Sequence, residues 1–342
     1  MKTAAEAQFL GQVLGSFVRR TPAPVAPDGL DWLHLERLAA RNKSMSIVLH
    51  TLGAKRIPAD IVQRWRHLGV GIELHYSRAH LATIKLCRWL EEAGIPAVVL
   101  RGMALASWAY PTPGLRPMVD VDILVCPGAR DVLPAYLLKH GLTPAQKLRS
   151  QLVYQIDGVV FELHWSLLTP KRYRKLVNAS AWLDSRVALP GGDGVVYRLT
   201  AEHELLELVC HSFIHHEVDS LLQLVDIALI SQFEALDWKY VMALCERASV
   251  TRLFRFTLGF ADALFNLGLQ TRLAGTGVDL APLRQRLAEA YEAPLFMRDA
   301  RRHLLQRKIN LLRVAEKPEV WLKQLIRFLN VDQLGRLIHF RP

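Results

Sequence analysis

The sequence predicts an α+β protein: a small mixed sheet flanked on both sides by helical segments. Three observations carry this reading. Short apolar runs separated by turn residues are confined to the middle of the 342-residue chain. A two-residue hairpin signal, Asp157-Gly158, lies between two alternating runs there. The residues before and after this region show apolar spacing at helical period instead. The divisions expected are a helical segment over 1–94, a mixed strand-and-helix core over 95–190 and a helical domain with a basic tail over 191–342.

In the N-terminal segment, Asp31 is placed to cap a helix through Trp32, Leu35, Leu38 and Ala39. A second helix starts near Pro58, a residue suited to a first turn, and carries Ile61, Trp65, Leu68, Ile72, Tyr76 and Ala79 on one face. It is expected to run to Glu91-Glu92, with a break at Gly69-Val70-Gly71 and a stop at Gly94 before Pro96.

The core begins with Ala97–Leu100, a buried strand ending at the Arg101-Gly102 corner. Met103 to Tyr110 reads as a short helix, Pro111–Gly114 as a loop, and Val119–Val125 as a second strand. Ala129–His140 reads as a helix closed by Gly141. Leu152–Ile156 and Val159–Trp165 form the hairpin. After the turn-rich Gly191–Gly194, Thr200 is placed to cap a helix whose Glu202 and Glu204 suit the positive end of its dipole. Helices follow at 202–217, 219–233, 237–247, 251–267, 282–292, 296–314 and 319–329.

Composition narrows the functional classes. With 51% hydrophobic and 22% charged residues the chain is neither disordered nor a repeat protein. No run of about 18 apolar residues suggests a membrane span. The start lacks a signal-peptide layout, since Glu6, Gln8 and Gln12 interrupt its apolar residues. Cys87, Cys126, Cys210 and Cys245 are far apart, which suits buried thiols in the cytoplasm. The net charge is +11, and residues 298–342 hold 11 Lys or Arg against 4 Asp or Glu. Such a tail favours an anionic partner: nucleotide, nucleic acid or, less readily, an acidic membrane face. The basic amphipathic stretch 320–329 is expected to pack into the core with its charges outward.

Chemistry concentrates in Arg116-Pro117-Met118-Val119-Asp120-Val121-Asp122-Ile123-Leu124-Val125. Residues two apart on a strand share a face. Asp120 and Asp122 therefore project together, with Val119, Val121 and Ile123 turned toward the core. Adjacent carboxylates repel unless a cation lies between them, and hard oxygen ligands suit Mg²⁺ or Mn²⁺. Glu162 and His164 alternate with Phe161 and Leu163. If that strand lies beside the first, Glu162 completes a three-carboxylate cluster able to hold two divalent ions and serve phosphoryl or nucleotidyl transfer. At the Arg101-Gly102-Met103 corner, glycine allows close backbone approach to a phosphate, and the next helix offers free N–H groups. Arg101 and Arg116 are candidate phosphate contacts.

Two further candidates are polar groups in apolar helices. His211 and His215 share a helical face at zinc-competent spacing, with His216 adjacent, but no Glu completes H-E-x-x-H. Lining of the cleft, or buried hydrogen bonds, is the preferred role. Asp226 lies within Leu224-Val225-Asp226-Ile227-Ala228, so it needs a partner, either His211 or an arginine.

The segment Val98-Val99-Leu100-Arg101-Gly102-Met103-Ala104-Leu105, Tyr110-Pro111, Leu115 to Val125, and Phe161-Glu162-Leu163-His164-Trp165 resembles a bacterial family of uncharacterised nucleotidyltransferases. That family belongs to the DNA polymerase β-like superfamily. Asp31-Trp32, Ile95-Pro96, His211 and Val225–Ala228 extend the resemblance over residues 30–235. It implies a polymerase β-like nucleotidyltransferase sheet, with Asp120 and Asp122 as metal ligands and Glu162 as the third carboxylate. It also implies an NTP substrate and a Mg²⁺ or Mn²⁺ cofactor. The chain departs from the family pattern where Arg101 replaces a lysine, and from the superfamily's glycine-serine corner at Gly102-Met103; Glu162 in place of an aspartate reaches further to the same metal. The expected reaction moves NMP from an NTP to an acceptor hydroxyl that the sequence does not name. The alternatives are a nucleotide-binding protein of the same fold that has lost turnover, and a toxin-like enzyme acting on tRNA. Oligomeric state is left open.

Overall fold

The computed structural model describes residues 3–148, 150–167, 178–214 and 220–272. The basic tail, the helices expected at 282–292, 296–314 and 319–329, and His215 and His216 lie outside the described residues.

The chain opens with α1 (Thr3–Arg19), α2 (Trp32–Arg41), α3 (Met45–Leu52) and the long α4 (Ala59–Glu92). Then come β1 (Ala97–Val99), α5 (Arg101–Trp108), β2 (Asp120–Val125) and α6 (Leu133–Lys139). The strands β3 (Gln146–Lys147), β4 (Gln151–Ile156) and β5 (Val159–His164) follow, then α7 (Ala179–Asp184), β6 (Val187–Ala188) and β7 (Tyr197–Arg198). Helices α8 (Ala201–Ile214), α9 (Leu221–Ser231), α10 (Trp238–Ala248), α11 (Thr251–Phe265) and α12 (Leu269–Arg272) end the described region.

The expected α+β class is observed. Seven strands form one mixed sheet in the order β3-β4-β5-β2-β1-β7-β6. The central pair β2 and β5 is parallel, whereas β1 with β2 and β4 with β5 are antiparallel. The hairpin turns at Asp157 (φ 51°) and Gly158 (φ 78°), the paired left-handed conformation of a two-residue loop.

Alternation along the strands sorts the two faces. Val121, Ile123, Val125, Phe161 and Leu163 are fully buried and pack on one face against Ala82, Leu86 and Leu90 of α4 and Leu133 and Leu137 of α6. On the other face Val98, Leu100 and Leu124 join a larger core, in which Phe9 and Leu14 of α1 meet Leu205, Val225, Phe254 and Phe265 from the helices after residue 200. Helices distant in sequence thus share one core, and the strand face carrying Asp122 and Glu162 looks toward α8.

Several local expectations are corrected. Helix α4 runs unbroken through Gly69 and Gly71. Interior glycine costs only about 1 kcal/mol, and burial of both ends of α4, at Ile61 and Trp65 and again at Leu86 and Leu90, outweighs that. The helix expected from Ala129 is a 3₁₀ turn at Pro127–Arg130 followed by the shorter α6, which has Pro134 in its first turn. Val119 precedes β2 and is 73% exposed, so its predicted place in the core is wrong. Asp31 caps α2 by accepting from the His34 N–H at 2.9 Å. The four cysteines are free thiols.

Candidate active site

The parallel register of β2 and β5 sets Asp122 directly opposite Glu162 and Leu124 opposite His164. One ligand atom from each of Asp122, Glu162 and His164 lies within 4.8 Å of the other two. Asp120 lies one strand position pair away, across from Val160. Burial, Asp122 and Glu162 together raise its carboxyl above the usual aspartate value. The three predicted carboxylates are therefore close enough to feel one another's charge. Glu162 Oε2 accepts from Gln151 Nε2 at 2.6 Å, across the β4–β5 ladder.

Asp122 is the most heavily contacted of the three. Arg101 Nε donates to Oδ2 at 3.0 Å, and Arg101 Nη2 also meets Oδ1. His164 Nε2 donates to Oδ1 at 2.8 Å, because a carboxylate can only accept. Burial alone would raise this carboxyl, but the Arg101 charge and the His164 hydrogen bond hold it well below the ordinary value.

Arg101 is itself anchored. Its Nη1 donates to Glu207 Oε1 at 2.7 Å and to His211 Nδ1 at 2.8 Å. Both partners lie on α8, one helical turn apart. Arg101 opens α5 with φ +47°, a left-handed conformation uncommon for residues other than glycine. The preceding backbone is fixed by the Leu100 N–H on the Asp122 carbonyl at 2.9 Å. Gly102 follows in a confined position: a Cβ there would stand 3.1 Å from both Arg116 Nη1 and the Met118 Cβ. Met103, in the first turn of α5, is fully buried.

Arg116 lies beside this corner but is bound elsewhere. It grips Asp226 of α9 through Nε–Oδ1 at 3.2 Å and Nη2–Oδ2 at 2.7 Å, and the Tyr110 hydroxyl donates to the same Oδ1 at 2.6 Å. Of the two partners considered for Asp226, the arginine supplies it; His211 is bonded to Arg101 instead. A third buried carboxyl, Glu204, accepts from Trp108 Nε1 at 3.1 Å. Burial pushes it up to about 8, only partly offset by Arg198. It stands in the first turn of α8, as the sequence suggested, and is buried there.

Sequence reasoning missed Glu207 and Gln151, and named Tyr110 only as part of the family resemblance. A signal existed for Glu207: a carboxylate among Leu205, Leu206, Leu208 and Val209 demands a partner just as Asp226 does.

A profile of the family described as uncharacterised nucleotidyltransferase matches residues 28–266. The chain belongs to that family. The match spans β1, β2 and β5 and the helices that carry Glu207 and Asp226, so the whole cluster lies within the family's extent. Among solved structures, this family member is similar to the antibiotic-resistance factor ANT(2'')-Ia, at 15% identity over 51% of this chain and 90% of the other, with a TM-score of 0.35. It is also similar to an antigenic nucleotidyltransferase-like protein from Paracoccidioides brasiliensis, at 14% identity over 52% and 93% of the two chains, again with a TM-score of 0.35. No curated protein matches it. Among the described residues, no helix is long and apolar enough to cross a membrane.

Proposed function

We propose that this nucleotidyltransferase-family chain transfers NMP from an NTP to an acceptor hydroxyl, using Mg²⁺ or Mn²⁺ held by Asp120, Asp122 and Glu162. The observation that carries the reading is the register of β2 and β5, which sets Asp122 opposite Glu162 with Asp120 two residues before Asp122 on the same strand, joined to the Arg101-Gly102 corner through the Arg101–Asp122 bond. The donor set fits a hard divalent ion: carboxylate oxygens from two strands, with the Asp120 carboxyl raised by burial and by its acidic neighbours Asp122 and Glu162. A bound ion supplies Lewis-acid polarisation of a phosphoryl oxygen and neutralises charge on the triphosphate.

The chain's own residues do the rest. The N–H groups of Gly102 and Met103 lie in the first turn of α5, where helix N–H groups lack intrahelical partners and suit a phosphate. Arg116 adds positive charge beside that turn, held in place by Asp226 and Tyr110. Glu162, more exposed than Asp122, is placed to assist deprotonation of the acceptor hydroxyl. His164 orients Asp122, and His211 orients Arg101. The test is transfer of radiolabel from NTP, comparing wild type with the double variant Asp120→Ala/Asp122→Ala. Equal labelling of both removes the assignment.

One observation favours a second reading, a nucleotide-binding protein that has lost turnover: the guanidinium of Arg101 already spans both oxygens of Asp122. Calorimetry with ATP and Mg²⁺, run beside the turnover assay, separates the two. Binding without product favours the second reading.

A further inference from the structure

The contacts of Arg101 bear on how many ions this site takes. A carboxylate offers about four lone-pair positions. On Asp122 three are used, two by Arg101 and one by His164, and Oδ1 is occupied from both of these directions. The guanidinium cannot swing aside cheaply. Its Nη1 is bonded to Glu207 and His211, its side chain is 9% exposed, and Glu207 is 1% exposed. Withdrawal would leave two buried carboxylates without their cation. Arg101 follows the end of β1, and contacts from two elements, Asp122 of β2 and Glu207 with His211 of α8, hold its side chain in place.

Resting on the transferase reading above, we propose that Arg101 is a built-in cation that takes the place of one of two divalent ions on Asp122, so that the site works with a single ion per bound nucleotide. Glu207 and His211 are its positioning residues. The ion that remains would be held by Asp120, Asp122 and Glu162, whose carboxylates keep oxygens that Arg101 does not cover. The arginine in the position where the family pattern has lysine suits this role, because a planar guanidinium covers both oxygens of one carboxylate and an ammonium covers one point.

The experiment counts ions directly. Mn²⁺ is titrated into the full chain in the presence of a non-hydrolysable ATP analogue. Bound Mn²⁺ is read by electron paramagnetic resonance and bound nucleotide by equilibrium dialysis. The expected wild-type result is one ion per bound nucleotide. Two ions per nucleotide overturn this inference and leave the transferase reading intact. No bound nucleotide overturns both. Arg101→Met is expected to admit a second ion, and a count unchanged from wild type in a folded Arg101→Met also overturns the proposal. Arg101→Lys, which keeps the charge, is expected to stay at one ion, and a second ion there counts against it. If Arg101→Met does not fold, the wild-type and Arg101→Lys counts decide.

Discussion

Asp122 and Glu162 are register partners on adjacent parallel strands, and His164 bridges them, donating to Asp122 at 2.8 Å while lying 3.5 Å from Glu162. Parallel neighbours require a crossover. Here the chain returns through α6 and the β4–β5 hairpin, so the two carboxylates meet only after the hairpin has docked against β2.

Asp122→Asn is expected to abolish transfer while leaving Arg101 with one fewer carboxylate. The loss in labelling should be at least about 100-fold, beyond the range seen when outer partners of metal ligands are altered. Stability should also fall, because Arg101 is buried and its charge pairing weakens. Single-turnover labelling together with urea denaturation separates the two effects.

The Arg116–Asp226–Tyr110 contact ties the loop before β2 to α9. Asp226→Ala leaves Arg116 buried without its carboxylate and should cost about 3–5 kcal/mol. Tyr110→Phe removes one charge-assisted hydrogen bond and should cost about 1.5–3 kcal/mol. If both variants unfold at the wild-type urea midpoint, this contact is not structural.

Glu204 predicts a pH dependence of folding. Its carboxyl is pushed up to about 8 in the folded chain, from an ordinary value of 4.5. Between these values the folded state keeps a proton that the unfolded state has released. Stability therefore falls as pH rises, by about 1.4 kcal/mol per unit, and the loss is complete above pH 8. Glu204→Gln retains an acceptor for Trp108 and should remove this slope. Urea midpoints at pH 5, 7 and 9 for both proteins check it; parallel curves would contradict the assignment.

Gly102→Ala should destabilise the corner by about 1–3 kcal/mol, since the added methyl meets Arg116 Nη1 and Met118 at 3.1 Å. If the corner holds phosphate as proposed, nucleotide affinity measured by calorimetry should fall as well. An unchanged affinity in the folded variant would detach Gly102 from the nucleotide.

The sequence by itself determined four of the seven strands, the hairpin and the Asp31-capped helix, because period, turn residues and caps act over a few neighbours. Asp157-Gly158 made the turn it announced, and Asp31 capped α2. Alternation also set Asp120 with Asp122, and Glu162 with His164, each pair on one strand face. Pairing was decided only by tertiary structure. Nothing local dictates that β5 lies parallel to β2, that Asp226 takes Arg116, or that Arg101 turns to Asp122, Glu207 and His211. The physical reason is that a buried charge fixes only its need for a partner. Which opposite charge answers that need depends on which elements the packed core brings within hydrogen-bond reach.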